Sequence, residues 1–155
     1  MTEPRWLDDT QQLAWQGFLA IINRGLPEME RTLKAHGLLT IQYGILVALA
    51  DAPEMTLRLS DLANRSNTSQ SRLTHRLRDL VARGDIAISD DPNDRRAKNA
   101  TLTPIGLKRL ETVAPIHVED VQRLIFDQLD PTLTAALAEA LSAIAANLCD
   151  HEQFQ

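Results

Sequence analysis

Four histidines (His36, His75, His117 and His151) and one cysteine, Cys149, are the residues best suited to metal binding or nucleophilic chemistry. Their spacing supports neither. No His-x-x-x-His or Cys-x-x-Cys pair occurs, and there is no Gly-rich phosphate loop or Gly-x-Ser-x-Gly turn. Catalysis needs such groups to converge, so the chain reads as a non-enzyme with no cofactor and no metal site. A lone cysteine cannot close an internal disulfide, and Cys149 reads as a small residue near the end of a helix.

The charged residues say more. The chain carries a formal net charge of -5, but the charge is unevenly placed. Between Arg58 and Arg109 there are eleven Lys and Arg against six Asp, a local +5. The remaining five basic and fifteen acidic residues leave -10 elsewhere. A basic centre between acidic ends suits a module that meets phosphates, mounted on a scaffold that does not. Within that centre Ser69, Gln70, Ser71, Arg72, His75 and Arg76 follow at helical spacing. Short hydroxyl and amide groups at a helix start, with Arg and His one turn on, can reach base edges and phosphates in a major groove.

The elements that must position these residues follow from apolar periodicity. Leu13, Trp15, Phe18, Leu19 and Ile22 mark a first helix capped by Asp8 or Asp9, which Gly25 and Pro27 are expected to interrupt. Another helical stretch, 27 to 35, ends near Gly37, and Thr40 opens a helix that closes at Asp51 to Pro53. Leu57 and Leu59 flank Arg58 in a short extended piece, and Ser60 offers a cap for a brief helix, 61 to 64. Arg65 to Thr68 is a turn in which Asn67 tolerates a left-handed backbone. A second helix runs from Ser69 to about Arg83, burying Leu73, Leu77, Leu80 and Val81, and Gly84 stops it. Ile86 to Ile88, a polar loop at 90 to 96, and Ala100 to Leu102 read as a β-hairpin. Thr103-Pro104 and Asp130-Pro131 each place a cap before a first-turn proline. The first of these opens a helix expected to bend at Pro115, and the second a helix with Leu133, Leu137, Leu141, Ile144 and Leu148 on one stripe.

Leu59-Ser60-Asp61-Leu62-Ala63 followed by Ser69-Gln70-Ser71-Arg72-Leu73-Thr74-His75 resembles the two helices of the MarR (multiple antibiotic resistance regulator) family. Asp91 to Ala97, then Leu102-Thr103-Pro104-Ile105-Gly106, is similar to that family's wing and the helix after it. The resemblance implies a mainly α fold with a small β-hairpin wing, a winged helix-turn-helix of about six helices. It implies one unit over 1–155, with the DNA-binding lobe at 38–104 and dimerisation helices at 8–36 and 105–150. On this basis Gln70, Ser71, Arg72 and His75 read bases, while Thr68, Ser69 and Arg76 hold the backbone. Arg96 enters the minor groove with Asp94 orienting it, and Arg95 and Lys98 hold phosphates.

The function expected is a transcriptional regulator, a ligand-responsive repressor binding double-stranded DNA at a palindromic operator as a homodimer. Asp85 and Asp90, acidic where the family is usually basic, motivate the alternative of a winged-helix protein-interaction module without DNA binding. Trp15, Tyr43 and His117 combine flat faces with polar tips, and read either as plain core or as a pocket for a small aromatic or anionic effector. No apolar run approaches the roughly 18 to 20 residues that span a bilayer, so no membrane partner is expected. The first residues lack a signal-peptide order, so the expected location is cytoplasmic.

Overall fold

The computed structural model describes residues 3–66, 70–92, 94 and 96–152, with the backbone alone at 70–72 and 149–152. Helix α1 (Asp9–Ala20) starts with a reciprocal cap. Asp8 accepts from the Gln11 backbone N–H at 2.8 Å, and Gln11 accepts from that of Asp8 at 3.2 Å. Contrary to the sequence expectation, Gly25 and Pro27 do not break the chain of helix. A π-helical turn (Ile21–Gly25) carries α1 directly into α2 (Leu26–Ala35). Its Leu26 N–H to Ile21 C=O bond shifts the ladder by one residue, just where Pro27 lacks a donor. With α1 and α2 counted as one, the described residues form six α-helices.

Gly37, at φ +77°, turns the chain after α2. Helix α3 (Thr40–Ala50) is capped from two directions, because Glu30 accepts from the Thr40 N–H at 3.0 Å and Gln42 from the Leu39 N–H at 3.1 Å. The extended piece around Arg58 is strand β1 (Thr56–Arg58), and α4 (Leu59–Arg65) follows at once, without the side-chain cap expected of Ser60. Helix α5 spans Gln70–Ala82 and ends at Gly84, φ +75°.

Strands β2 (Ile86–Asp90) and β3 (Lys98–Leu102) form the expected hairpin, pairing from Ile86 with Leu102 to Asp90 with Lys98. β1 adds to the free edge of β3, Leu57 opposite Ala100, which gives an antiparallel sheet in the order β1-β3-β2. Helix α6 (Pro104–Leu124) runs unbroken through Pro115, and α7 (Pro131–Glu152) follows a cap in which Asp130 accepts from the Thr132 and Leu133 N–H groups.

Two compact units are distinguished, Met1–His117 and Val118–Gln155. In the first, Leu33, Ile45, Leu46, Leu49, Leu62, Leu73, Leu80 and Ile86 are fully or almost fully buried in one cluster with Ala100 and Leu102. This core joins α2 and α3 to α4, α5 and the sheet. Cutting Leu73 back to Ala would cost about 2–5 kcal/mol, because a close-packed site collapses only in part. Val81, expected in that stripe, is 40% exposed. It lies at the edge of the α5 stripe and lines a shallow surface groove with Leu59 and Ile88. In the second unit Arg123 pairs with Asp120 at 2.9 Å, and α7 presents Leu133, Leu141, Ile144 and Leu148 as exposed apolar residues. Among the described residues no single helix is long and apolar enough to cross a membrane.

Candidate nucleic-acid interface

The helix-turn-helix is positioned by burial. Leu62 and Ala63 anchor α4, and Leu73, Leu77 and Leu80 anchor α5, so the opposite face of α5 carries Thr74, His75, Arg78 and Asp79 outward. A polar tether adds to this packing. The Nε2 of Gln42, a residue buried in α3, donates to Asp79 at 3.4 Å, and its Oε1 holds the start of its own helix. Gln42 has no signal in the sequence, because a polar residue amid apolar ones shows its use only when α5 lies beside it.

Of the residues expected to read DNA, His75 is exposed and Arg76 half-buried on the same helix. Gln70, Ser71 and Arg72 form the first turn of α5. Thr68, Ser69 and Arg95 lie outside the described residues.

The wing tip is built by two aspartates. Asp94 accepts from the Arg96 backbone N–H at 3.0 Å, so it acts on the turn that carries Arg96. The geometry has a simple cause: an Asp two residues before a free N–H closes an Asx turn. Asp91, a residue the sequence reading did not single out, is buried and accepts from the Asp94 N–H at 3.1 Å and from Arg58 Nε at 2.9 Å. The loop therefore hangs from β1 through Arg58. Arg96 is left exposed, and it lines a groove of about 280 Å³ with Arg58, Asp94 and Lys98. Lys98 meets Asp90 across the hairpin at 2.5 Å, so its charge is shared with that carboxylate.

Asp85 does not face the nucleic-acid side at all. It is fully buried and clamped between Arg83 Nε at 3.0 Å and Arg109 Nε at 2.8 Å. Arg83 also donates through Nη1 to the Gly37 carbonyl at 2.8 Å, which ties the end of α5 to the α2–α3 turn. The backbone at Asp85 is as crowded as its side chain. Thr103 donates from its N–H to the Asp85 carbonyl at 3.0 Å, and its hydroxyl accepts from the Gly106 N–H as the cap of α6. A Cβ on Gly106 would stand 2.1 Å from the Asp85 carbonyl oxygen, so the Leu-Thr-x-x-Gly spacing describes a contact that admits only glycine.

Tyr43 and His117 do come together, their ring centroids 4.5 Å apart and tilted by 56°. Burial pushes the Tyr43 phenol above its usual value. Trp15, placed with them on sequence grounds, stacks on Phe18 at 5.8 Å and is half exposed. Among the described residues no group of three or more His, Cys, Asp or Glu side chains could hold a metal ion.

Residues 36–97, the helix-turn-helix and most of the wing, match the model of the MarR family. The chain is 36% identical to AbsC, a MarR family transcriptional regulator from Streptomyces coelicolor, with a TM-score of 0.88 over 94% of this chain and 98% of that one. The chain belongs to the MarR family. Its members are transcriptional regulators and not enzymes. A second structure, Sco3205 of the same organism, was solved in complex with DNA; it is 34% identical with a TM-score of 0.89, over 96% of this chain and 93% of that one. The HTH-type transcriptional repressor YetL of Bacillus subtilis is 29% identical over 102 residues, and the match spans 66% of this chain but 61% of that protein.

Proposed function

We propose that this MarR family member is a cytoplasmic repressor that binds a palindromic double-stranded DNA operator as a homodimer and releases it on binding a small ligand. The observation that carries the reading is the joint placement of an outward α5 face and an exposed Arg96 on one compact unit. The likeness to a regulator solved with DNA supports it. Gln70, Ser71, Arg72 and His75 would read base edges, and Thr68, Ser69, Arg76, Arg95 and Lys98 the backbone. Of the two acid residues that favoured a module without DNA binding, Asp85 is buried between two arginines, and Asp90 stays exposed and pairs with Lys98.

Dimerisation is supported by apolar helix surface. In α1 the residues Leu13, Trp15 and Phe18 are exposed, as are Leu141, Ile144 and Leu148 in α7. A soluble monomer rarely leaves such stretches uncovered. A two-fold pair would also set two recognition helices about 34 Å apart, one turn of DNA. The effector reading rests on the Tyr43–His117 pair, whose flat faces and polar tips suit an aromatic or anionic ligand. Such a ligand lowers DNA affinity only by its preference for the non-binding dimer.

Fluorescence anisotropy with DNA from the protein's own promoter, against scrambled DNA of equal length and at two salt concentrations, tests the central claim. The promoter fragment should bind at least a hundredfold more tightly, and both affinities should fall with salt. Equal weak binding to both DNAs would instead favour the protein-interaction module.

A further inference from the structure

Arg58 and Asp91 join two parts of the lobe that are far apart in the chain. Arg58 closes β1 and stands at the N-cap position of α4, the first helix of the helix-turn-helix, so its backbone is fixed from both sides. In the sheet it lies opposite Asn99 of β3. Asp91 follows β2 and opens the wing loop. The β2–β3 ladder ends at Asp90 with Lys98, and beyond that pair the loop lacks the support of strand pairing. Its neck is closed by the Asp91 N–H, which donates to the Ala97 carbonyl at 3.1 Å, and the Ala97 N–H donates to the Asp94 carbonyl at 2.9 Å. The Asp91 carboxylate then faces both ways. Oδ1 accepts from the Asp94 N–H at 3.1 Å within the loop, and Oδ2 accepts from Arg58 Nε at 2.9 Å outside it. The Asp91 side chain is 7% exposed and that of Arg58 45%. A charge-assisted bond of this kind is directional and roughly twice as strong as a neutral one. It holds the loop against the start of α4, and not to its own hairpin alone.

We propose that Arg58 is a positioning residue for DNA binding, which acts through Asp91 to set where Arg96 stands relative to the helix-turn-helix. The place of Arg96 is fixed by its backbone. That backbone is held by Asp94, the Asp94 N–H by Asp91, and Asp91 by Arg58, an unbroken chain of hydrogen bonds from the start of α4 to the wing tip. A cation entering a minor groove while a helix of the same lobe lies in the adjacent major groove must arrive at a separation that the duplex dictates. A contact residue whose supporting shell is loose loses that geometry. The charge of Asp91 points the same way. A carboxylate at the neck of a DNA-facing loop is repelled by phosphates, so its contribution to binding is the arginine it holds and not a contact of its own. Arg58 also lines the groove of about 280 Å³ that Arg96 and Lys98 border, which makes a direct phosphate contact the rival role. The positioning role rests on the DNA-binding reading.

The test is a double-mutant cycle on the full chain, read by fluorescence anisotropy with promoter and scrambled DNA. Arg58→Ala should weaken promoter binding about tenfold in the wild type, but less than about twofold further in Arg96→Ala, where nothing is left to position. Asp91→Asn keeps an acceptor for the Asp94 N–H and removes a negative charge. Charge alone would tighten binding; loss of the hold on Arg58 should weaken it severalfold. Arg58→Lys, which keeps a cation within reach of Asp91, should recover most of the loss. In the DNA-free protein, hydrogen exchange at the Asp94 and Arg96 amides should quicken about tenfold in Arg58→Ala, while the Leu73 and Leu80 amides of the core keep their rates. That comparison separates a loosened loop from a destabilised lobe, and Arg58→Gln carries the same cycle if the alanine variant unfolds. Equal losses in the two backgrounds, each with a salt slope lower by about one, would make Arg58 a phosphate contact and overturn the positioning role. Tighter binding by Asp91→Asn, or loop exchange unchanged in Arg58→Ala, overturns it too. A wild type that does not distinguish promoter from scrambled DNA brings down the repressor reading and this role with it. Selective wild-type binding that Arg58→Ala leaves unaltered brings down this role alone.

Discussion

Arg96 stands on a turn whose shape is held by Asp94 and Asp91 through backbone N–H groups, and its own side chain has no hydrogen-bond or ion-pair partner among the described residues. Arg96→Ala should therefore leave circular dichroism and melting unchanged while weakening promoter binding by about 1–3 kcal/mol, as expected for one cation withdrawn from a groove. Unaltered affinity would show that the wing tip does not reach DNA. Glu30 behaves differently because its use is internal. Its carboxyl titrates below the ordinary 4.5 in the folded chain, so it contributes stability that is present above that value and lost as pH falls through the folded value. Wild type and Glu30→Gln should differ in urea unfolding at pH 7 and converge towards pH 3; a constant gap would assign the difference to packing. The wing motif was legible as residues, since Asp94 and Arg96 could be named from spacing alone. Which atoms of them meet was not, because an Asp can hold a guanidinium or a backbone N–H at the same separation. Asp85 was misread for a related reason: a charged residue gives no sign of burial until its two arginines, one on the neighbouring helix, are seen around it.

At the level of elements, caps and glycine stops were readable because they are local. Asp8, Asp130, Thr103, Gly37 and Gly84 each act within a few residues of their own position. β1 as a sheet strand was not, since a three-residue run becomes a strand only by pairing with β3, more than forty residues later. The fate of Pro27 was hidden too, because a π turn and a break begin with the same sequence. The junction of α5, β2 and α6 is where local and distant constraints meet, and it should be the least tolerant point of the lobe. Gly106→Ala places a methyl group against the Asp85 carbonyl and should cost about 1–3 kcal/mol or more as the helix start is pushed away. Asp85→Ala leaves Arg83 and Arg109 without their shared partner and should cost about 3–5 kcal/mol. Urea titrations followed by tryptophan fluorescence measure both, and a loss under about 0.5 kcal/mol in either would mean that the junction relaxes freely.

For the whole molecule the decisive question is what covers α1 and α7. The charge division already separates a basic lobe from acidic ends, and acidic surface repels DNA, so these ends are better suited to a protein partner. Ile144 and Leu148 of α7 are 55% and 60% exposed, one turn apart on the same stripe, with Leu141 beside them. Burying a stripe of this kind against its own symmetry mate removes water from each residue, at about 1.5–3 kcal/mol for a full side chain. An arginine at its centre would need to be buried unpaired, at a cost that exceeds that gain. Sedimentation of the wild type at micromolar concentration should therefore report twice the 17.3 kDa of the chain, and Ile144→Arg should report one copy with an unchanged far-ultraviolet spectrum. Because two linked heads bind a palindrome far more tightly than one, the monomeric variant should also lose roughly a hundredfold or more in promoter affinity while keeping its weak binding to random DNA. A wild type that sediments as one copy, or an Ile144→Arg protein that stays paired and binds the promoter undiminished, would place the dimer surface elsewhere or remove it from the mechanism.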